Sequence, residues 1–561
     1  MGSRNSTSLL DFGCCATCKA DVEISRSTIR GPPDTLYKDL KRSNRYPDGA
    51  SPYKEEHKAA KVRLDQLRAT IALLEAEKKR LEGIVEKYKV ILHPIRIAPA
   101  DVLRQIFDFC VDRIEGQVDL PPSSLTPSRM PWVLGQICRS WRDLVLYTPQ
   151  LWNTISLEIR QIEGLSRESI SADVQRLGLQ LHRSQDLPLI VSIFSDNVKL
   201  QGNGSLRITS ETLLDIHPFL VLVCSFSERW KYLHLKGSSQ GVQRVFSTRG
   251  FLPRLEWLVM DLDETPDQAT ACFEFAPQLT SISLHTVTLI KLPWNQIQRF
   301  RFNRRSIPSR PSSSFAPVSD TDSSRFYDII RHLKNVQICD LFFDRGFSVS
   351  DMKAAMQTPG KSGKPKIVMG YLTALMFSGD LSTESTGHAV IPHFLEGIST
   401  PRLSHLQIAS PFVGWDELLI FIRQSQCRLT TLTIPQSQSL SPKILNDVLS
   451  SLPDLKTLEI GIVGGAGNDH ISTFTSPVVP NLEKLTIVRS SGTGSWYWYR
   501  SYDDSVMIDM LAHRRNRDAE DTSGASRLCF VSLDRRITDQ SSRKRLDALV
   551  SQGMVVIERS G

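Results

Sequence analysis

Three patterns of hydrophobic spacing divide this chain, and each predicts different elements. From Tyr53 to Leu92, two interleaved sets of mainly apolar residues recur every seven positions, as the a and d positions of a heptad repeat do. The a set is Leu64, Ile71, Lys78, Val85 and Leu92, and the d set is Leu67, Leu74, Leu81 and Tyr88. The spacing predicts one long helix over residues 53–92 that ends where His93 precedes Pro94.

The seam of this helix has two interpretations. It pairs with another chain as a coiled coil, or it folds back on its own protein. Lys78 at an a position weakens a dimer seam, and Gly83 weakens the helix itself. These two residues favour a weak or conditional coiled coil.

A second amphipathic pattern follows between residues 93 and 157. Pro99 and Asp101 are typical of a helix start, and the next apolar residues, Val102, Leu103, Ile106, Phe107 and Cys110, share one helical face. A further apolar stripe contains Leu134, Ile137, Cys138, Trp141, Leu144 and Val145. Two short helices cannot hide this much apolar surface from each other, so part of it needs a partner inside or outside the chain.

The C-terminal four hundred residues carry a third pattern, the repeat [LW]-x-x-[LIV]-x-[LIF]. It starts at Trp230, Leu279, Leu333, Leu372, Leu403, Leu429, Leu455 and Leu482, with close variants at Leu255 and Leu528. Spacings of 24 to 27 residues, in stretches such as "SPKILNDVLSSLPDLKTLEI", alternate an amphipathic helix with a strand, as leucine-rich repeats do.

This pattern predicts an α/β fold class with an irregular repeat solenoid. The asparagine that normally follows the strand of a leucine-rich repeat is replaced by Ser437, Val463 and Ser490, which is why we expect irregularity. The repeat leucines Leu406, Leu432, Leu458 and Leu485 should be core residues, and the residues between them should face the open side of the sheet.

Composition limits the function. The net charge of +8 is modest for 561 residues and indicates no extended nucleic-acid surface. The longest apolar runs, "FLVLVC" and "LLIFI", are too short for a membrane span, and ten scattered cysteines are typical of reduced thiols in a cytoplasmic or nuclear protein.

The lack of hydrophobic periodicity in residues 1–52 predicts a disordered arm. Its first six residues fit the loose acylation pattern M-G-x-x-x-[ST], so Gly2 is a candidate lipid anchor, and Cys14, Cys15 and Cys18 could carry a second acyl chain. The alternative, which the permissive pattern favours, is a plain tail with incidental thiols. These cysteines indicate a zinc site only weakly, because no further Cys or His pair lies nearby to complete four ligands.

No motif for catalysis, a cofactor or a metal is present, and we therefore predict a protein that is not an enzyme. The segment "GTGSWYWYRSYDD" (492–504) has two interpretations. Its aromatic residues pack locally, or Trp496, Tyr497 and Trp498 form a contact site for a target protein.

The segments "IRIAPADVLRQIF" and "WVLGQICRSWRDLVLYTPQLWNTISL" resemble the F-box of mushroom-type fungal proteins, in which a short heptad helix leads into the same ordered pattern. The resemblance covers about 100 residues, up to Leu157, and departs from the pattern where Ile97-Ala98 replaces a leucine-proline pair. It divides the chain into an arm (1–52), a coiled-coil helix (53–92), an F-box domain (93–157) and an irregular leucine-rich-repeat-like domain (158–561).

The resemblance implies a substrate-recruiting receptor of a Skp-cullin-F-box ubiquitin ligase. Such a protein binds a Skp-type adaptor, and through it a cullin-RING ligase, with the apolar face of its F-box. The residues implied in adaptor binding are Pro99, Val102, Leu103, Ile106, Phe107, Leu134, Ile137, Cys138 and Trp141. For Trp141, plain core packing is an equal alternative. The alternative function is a non-catalytic coiled-coil and repeat scaffold with no ligase link.

Overall fold

The structure is a computed structural model in two compact units, Met1–Leu103 and Arg104–Gly561. It describes residues 34, 38, 41, 51–111, 123–159, 167–195, 218–237, 242–246, 252–262, 271–286, 291–303, 320–343, 367–379, 390–437, 440–462, 467–475, 478–489, 502–515 and 527–559. Gly2, Cys14, Cys15, Cys18, Trp496, Tyr497 and Trp498 lie outside these residues.

One long helix, α1 (Ser51–Ile91), dominates the first unit. The heptad spacing predicted it to within two residues at each end. A 3-10 helix (Pro94–Arg96) follows, and the His93 side chain caps it by accepting a hydrogen bond from the Ile95 amide at 3.3 Å. Proline ends α1 here because it lacks the amide proton that would continue the helix.

The second unit begins within α2 (Ala100–Cys110), after Leu103. Two short helices, α3 (Leu134–Ile137) and α4 (Arg139–Leu146), follow, and then a 3-10 helix (Pro149–Leu151). We call residues 104–151 the short-helix segment. Pro149 cannot extend α4, and the chain turns directly into the first strand of the sheet.

Fourteen parallel strands among the described residues form one sheet, which is the basis of the α/β fold class. The strands are β1 (Thr154–Ile159), β2 (Leu189–Ser195), β3 (Trp230–Gly237), β4 (Trp257–Leu262), β5 (Ser281–Leu284), β6 (Arg299–Asn303), β7 (Ile338–Phe342), β9 (Ala374–Ser378), β11 (His405–Ile408), β12 (Thr431–Ile434), β13 (Thr457–Ile462), β14 (Lys484–Arg489), β15 (Phe530–Leu533) and β16 (Val555–Glu558). Strands β8 (Ile367–Val368) and β10 (Ile398–Ser399) form a separate parallel pair. Neighbours in the sheet follow chain order, as expected of an α/β repeat solenoid.

Helices connect these strands. They are α5 (Arg167–Arg183), α6 (Pro218–Cys224), α7 (Gln243–Phe246), α8 (Asp320–His332), α9 (Val390–Gly397), α10 (Trp415–Ser425), α11 (Pro442–Ser450), α12 (Gly467–Thr473), α13 (Asp504–Arg515) and α14 (Gln540–Ser551), with 3-10 helices at Ser227–Arg229 and Trp294–Gln296. From α9 to α14 each helix packs on the next, as repeat architectures require. We call residues 154–559 the repeat array.

The repeat leucines form the core. Leu406, Leu432, Leu458 and Leu485 pair across β11 to β14 in one register and are at most 1% exposed. This confirms the core prediction. Stacking identical positions lets each strand bury its leucine between two neighbours.

Four strands of the sheet differ from the predicted pattern. The repeat predicted at residues 333–338 was placed three residues too early, because the core positions of β7 are Val336, Cys339 and Leu341, and Cys339 pairs with Leu375. Leu333 is also buried, so the three-residue spacing of the repeat fits both Leu333 with Val336 and Val336 with Cys339. Strands β2, β6 and β16 were not among the predicted repeats, and in β6 the reason is that phenylalanines occupy the leucine positions.

Serines take the place of the missing asparagines after two strands. Ser437 is fully buried and its hydroxyl donates to the carbonyl of Gly461 on the next repeat, and Ser410 donates to the carbonyl of Gly379 at 3.2 Å. A Cβ at position 461 would lie 2.3 Å from the Pro435 carbonyl oxygen, so glycine is needed for this close approach. None of the helices in the described part of the chain is long and apolar enough to cross a membrane.

Candidate functional site

Helix α2 has an inward and an outward apolar face. Leu103 is 7% exposed and Phe107 is fully buried, and these two residues lie one turn apart on the inward face. Ile106 and Phe109 lie three positions apart on the outward face, with exposed fractions of 39% and 87%. A helix of only eleven residues therefore leaves large apolar side chains in solvent while its other face is part of a core.

Trp141 on α4 is part of that core. Its ring meets Phe107 edge-on, with 4.8 Å between the ring centroids. Aromatic pairs of this geometry add stability beyond the area they bury. The contact fixes α4 against α2 and accounts for the half-buried Trp141 by packing.

Helix α3 adds an exposed apolar residue next to α4. Leu134 points into the core at 3% exposure, whereas Ile137 is 55% exposed and Cys138 is exposed after it. The Arg142 guanidinium on α4 donates from its Nε to the Gly135 carbonyl at 2.8 Å, which ties the two short helices together. Tyr147, just beyond α4, is 81% exposed.

The nine residues predicted to bind an adaptor thus divide by exposure. Leu103, Phe107 and Leu134 are buried, Trp141 is half-buried, and Pro99, Val102, Ile106, Ile137 and Cys138 are exposed. Phe109 and Tyr147 were not among the predicted residues, although both are more exposed than Val102, Ile106 and Ile137. The helical spacing from Ile106 could have identified Phe109.

Trp132 and Trp152 anchor the short-helix segment to the repeat array. Their rings meet edge-on at 4.8 Å, and the Arg183 guanidinium of α5 lies 5.2 Å from the Trp132 ring and 4.5 Å from the Trp152 ring. Each indole is satisfied, because Trp132 donates to the Ser124 carbonyl at 2.8 Å and Trp152 to the Val145 carbonyl at 2.9 Å. Burial lowers the pKa of Arg183, as expected for a cation between aromatic rings.

A buried polar residue supports the same junction. Gln180 on α5 is fully buried, donates to the Thr154 carbonyl at 2.7 Å and accepts from the Ser124 hydroxyl at 3.1 Å. Buried amides are tolerated only when both ends are hydrogen-bonded. The short-helix segment is therefore held in a defined position on β1 and α5.

The side of the sheet away from the main core carries a second apolar patch. Tyr232 on β3 and Val259 on β4 form a small cluster separate from that core, and Ile190 and Trp257 pack against it. The Tyr232 and Trp257 rings meet at 5.8 Å, beside a cleft of about 290 Å³ that Lys231, Glu256 and Arg299 also line. Aromatic residues at the variable positions of "WKYLHL" and "LEWLVM" are the sequence signal for this patch.

Charged groups surround the patch in cross-strand pairs. Lys231 lies 3.6 Å from Glu256, and Lys236 lies 3.7 Å from Asp261, which also contacts His285 at 3.2 Å. His234, between these pairs on β3, is 3% exposed. Burial lowers the pKa of His234 to about 4, and Asp261 opposes the shift only in part.

The predicted target residues Trp496, Tyr497 and Trp498 lie outside the described residues, but the end of the same segment is described. Tyr502 is 2% exposed, and its hydroxyl donates to Asp534 at 2.6 Å. Asp504 accepts from the amides of Thr538 and Asp539 at 2.8 and 2.9 Å. This end of the segment packs locally.

The described His, Cys, Asp and Glu side chains bear on catalysis and metal binding. Among the described residues, no three His, Cys, Asp or Glu side chains are grouped as a metal site requires. The described cysteines are all free, and burial raises the pKa of Cys427 to about 11, which makes this thiol a poor nucleophile.

No family model matches the chain. A search of curated proteins finds no significant match. Among solved structures, a chain in the crystal structure of the yeast Rad7 and Elc1 complex is 12% identical, with 85% of this chain and 98% of that chain covered and a TM-score of 0.27. A likeness this weak establishes neither a shared fold nor a shared function.

Proposed function

We propose that the protein is the substrate-recruiting receptor of a Skp-cullin-F-box ubiquitin ligase. In this proposal Ile106, Phe109 and Ile137 contact a Skp-type adaptor, and the repeat array binds the target protein. The sequence resemblance between residues 93–157 and the F-box family supports it. The protein itself performs no chemistry, and its contribution is to hold the target close to the transferred ubiquitin.

The observation that carries the proposal is the exposure of the outward face of α2. Phe109 is 87% exposed and Ile106 39% exposed on a helix whose inward face is fixed by Phe107 and Trp141. A rigid helix with large apolar side chains in solvent is the arrangement that an adaptor interface needs, since interface centres are apolar and desolvated. The buried residues Leu103, Phe107 and Leu134 then hold the surface in shape.

The apolar patch around Tyr232 and Trp257 is our candidate for part of the target surface. Tyr232 is 3% exposed and Trp257 is half-buried, so Trp257 and the rim of charged pairs offer the contact surface, with the mixed composition of a protein interface. Trp496, Tyr497 and Trp498 stay a prediction for the same role. The cytoplasm or nucleus is the proposed location, where such ligases act.

The test is a charge placed on the outward face. Ile106→Asp and Phe109→Asp should each reduce adaptor binding by at least about a hundredfold, because a buried carboxylate would lose its hydration without gaining a partner. Arg104→Asp is the control, since it places a carboxylate at an exposed position of α2 on the opposite side of the helix from Ile106 and Phe109. Binding of purified Skp-type adaptor is measured by calorimetry, and circular dichroism verifies that each variant is folded. Full binding by both variants, or no binding by the wild type, would refute the proposal.

The second candidate function is a scaffold without a ligase link. The exposed heptad seam of α1 favours it, because such a seam is typical of assembly. The same experiment separates the two functions, since a scaffold binds no adaptor in any variant.

Lipid anchoring at Gly2 stays a prediction. If Gly2 is acylated, Gly2→Ala should move the protein from the membrane to the soluble fraction. A wild-type protein found wholly in the soluble fraction would contradict it.

A further inference from the structure

Helix α1 exposes the whole of its heptad seam. The a and d residues with large apolar side chains are Leu64, Leu67, Ile71, Leu74, Leu81, Val85 and Tyr88, with exposed fractions between 37% and 58%. From Leu64 to Tyr88 this apolar stripe runs about 36 Å along the 41-residue helix, with Lys78 as its one polar interruption. A stripe this long in water calls for a second helix of matching length.

The charges beside the seam are segregated along the helix. At the e positions the N-terminal half carries Lys54, Lys61 and Arg68, and the C-terminal half carries Glu75 and Glu82, with Lys89 at its end. Their described ion pairs are short-range contacts such as Arg68 with Asp65 at 3.4 Å and Lys78 with Glu82 at 3.8 Å, all between exposed groups. Such pairs are weak and leave the charges available to a second helix.

A parallel pair of α1 helices would place like charges together. In that orientation a g residue faces the following e residue of the second helix, which would bring Arg63 to Arg68 and Glu77 to Glu82. It would also place the two copies of Lys78 directly opposite each other at an a position. The one attractive combination would be Glu56 with Lys61.

An antiparallel pair resolves these conflicts. When the two-fold axis lies between Ile71 and Leu74, Leu64 meets Leu81 of the second copy, and Lys78 meets Leu67. The two Lys78 residues are then about 16 Å apart along the axis, at a rise of roughly 1.5 Å per residue. This axis is also close to the midpoint of α1, so the seams overlap over almost their full length.

The e positions become complementary in this register. Lys61 faces Glu82 of the second copy, and Arg68 faces Glu75, and the symmetry repeats each pair. Lys54 faces Lys89, but this like-charged pair lies at the helix ends. Charge complementarity of this kind sets the orientation of helices in coiled coils.

We propose that α1 pairs with α1 of a second copy of this chain in antiparallel orientation. The pairing joins two copies of the protein through their first units. The proposal does not depend on adaptor binding, because α1 lies outside the residues proposed to contact the adaptor.

The orientation is tested with charge reversals in the full chain. Arg68→Glu should raise the dimer dissociation constant by about tenfold, because two attractive pairs with Glu75 become repulsive at once. In a parallel dimer the same change would relieve repulsion with Arg63 and tighten the dimer. The double variant R68E/E75R should restore the wild-type dissociation constant, since it exchanges the two charges.

The control is Lys79→Glu, which changes the charge at an exposed b position away from the seam. We expect the dimer dissociation constant of this variant, measured at physiological salt, to match that of the wild type once the change in net charge is taken into account. Sedimentation equilibrium over a range of concentrations gives each constant, and circular dichroism reports helix content. A chain that stays monomeric at all concentrations, a tighter dimer with Arg68→Glu, or a double variant that stays weak would overturn the proposal.

Discussion

The repeat array and helix α1 are both rich in regularly spaced leucines, but the leucines are buried in the array and exposed on α1. In the array Leu406, Leu432 and Leu458 are 1% exposed, whereas in α1 Leu64 and Leu74 are 47% and 48% exposed. Each strand of the array has a neighbouring repeat on both sides that covers its leucines. The same kind of residue therefore stabilises the fold in one region and is available for association in the other.

Helix α2 combines both cases within eleven residues. Phe107 is fully buried and Ile106 is 39% exposed, although the two are adjacent in the sequence. Successive residues on a helix point about 100° apart, so neighbours belong to different faces. The comparison between fold-stabilising and association residues can therefore be tested by matched substitutions.

The largest expected effect is at Phe107. Phe107→Ala should destabilise the protein by about 3–5 kcal/mol, because it removes a fully buried ring and its contact with Trp141. Ile106→Ala, next to it, should cost less than about 1 kcal/mol, since the side chain is already partly in solvent. Chemical denaturation gives both free energies of unfolding, and equal losses for the two variants would show that α2 does not have distinct faces.

In the array, Leu458→Ala should destabilise the protein by about 2–5 kcal/mol, because the cavity lies between two neighbouring strands. Leu179→Ala on α5 is the matched control, with a side chain that is 46% exposed. It should cost less than about 1 kcal/mol. A mild effect of Leu458→Ala in urea denaturation would argue against a shared repeat core.

The smallest of the three effects is pH-dependent and concerns His234. Burial lowers its pKa from 6.5 to about 4, so the unfolded chain binds this proton more readily than the folded protein does. Above pH 6.5, His234 is neutral in both states and does not lower the free energy of unfolding. As the pH decreases from 6.5 toward 4, the free energy of unfolding falls by no more than about 3 kcal/mol. His234→Gln should flatten this part of the pH profile of the melting temperature, and an unchanged profile would contradict the assignment.

Much of the fold could be predicted from the sequence. The heptad spacing identified α1, and the repeat pattern identified the strands and the buried leucines of β11 to β14. The prediction was wrong where the spacing was ambiguous at β7 and where phenylalanines replaced leucines in β6. Both cases arise because a local pattern does not record which residue pairs with the neighbouring strand.

The candidate site was harder to predict. The sequence indicated a surplus of apolar residues between 93 and 157, but it assigned Leu103, Phe107 and Leu134 to the docking surface, and these residues are buried. It did not assign Phe109, the most exposed aromatic residue of α2. Amphipathic spacing shows that a helix has an apolar face, but the width of that face that remains in solvent depends on what packs against it.

The sequence by itself determined the local elements, because hydrophobic periodicity and proline positions act over a few residues. It also determined the charges along α1, which select the proposed antiparallel pairing. Only the tertiary structure decided that Trp132, Trp152 and Arg183 join the short helices to the array, and which apolar residues stay exposed. Exposure depends on contacts between residues far apart in the chain, and no local pattern contains that information.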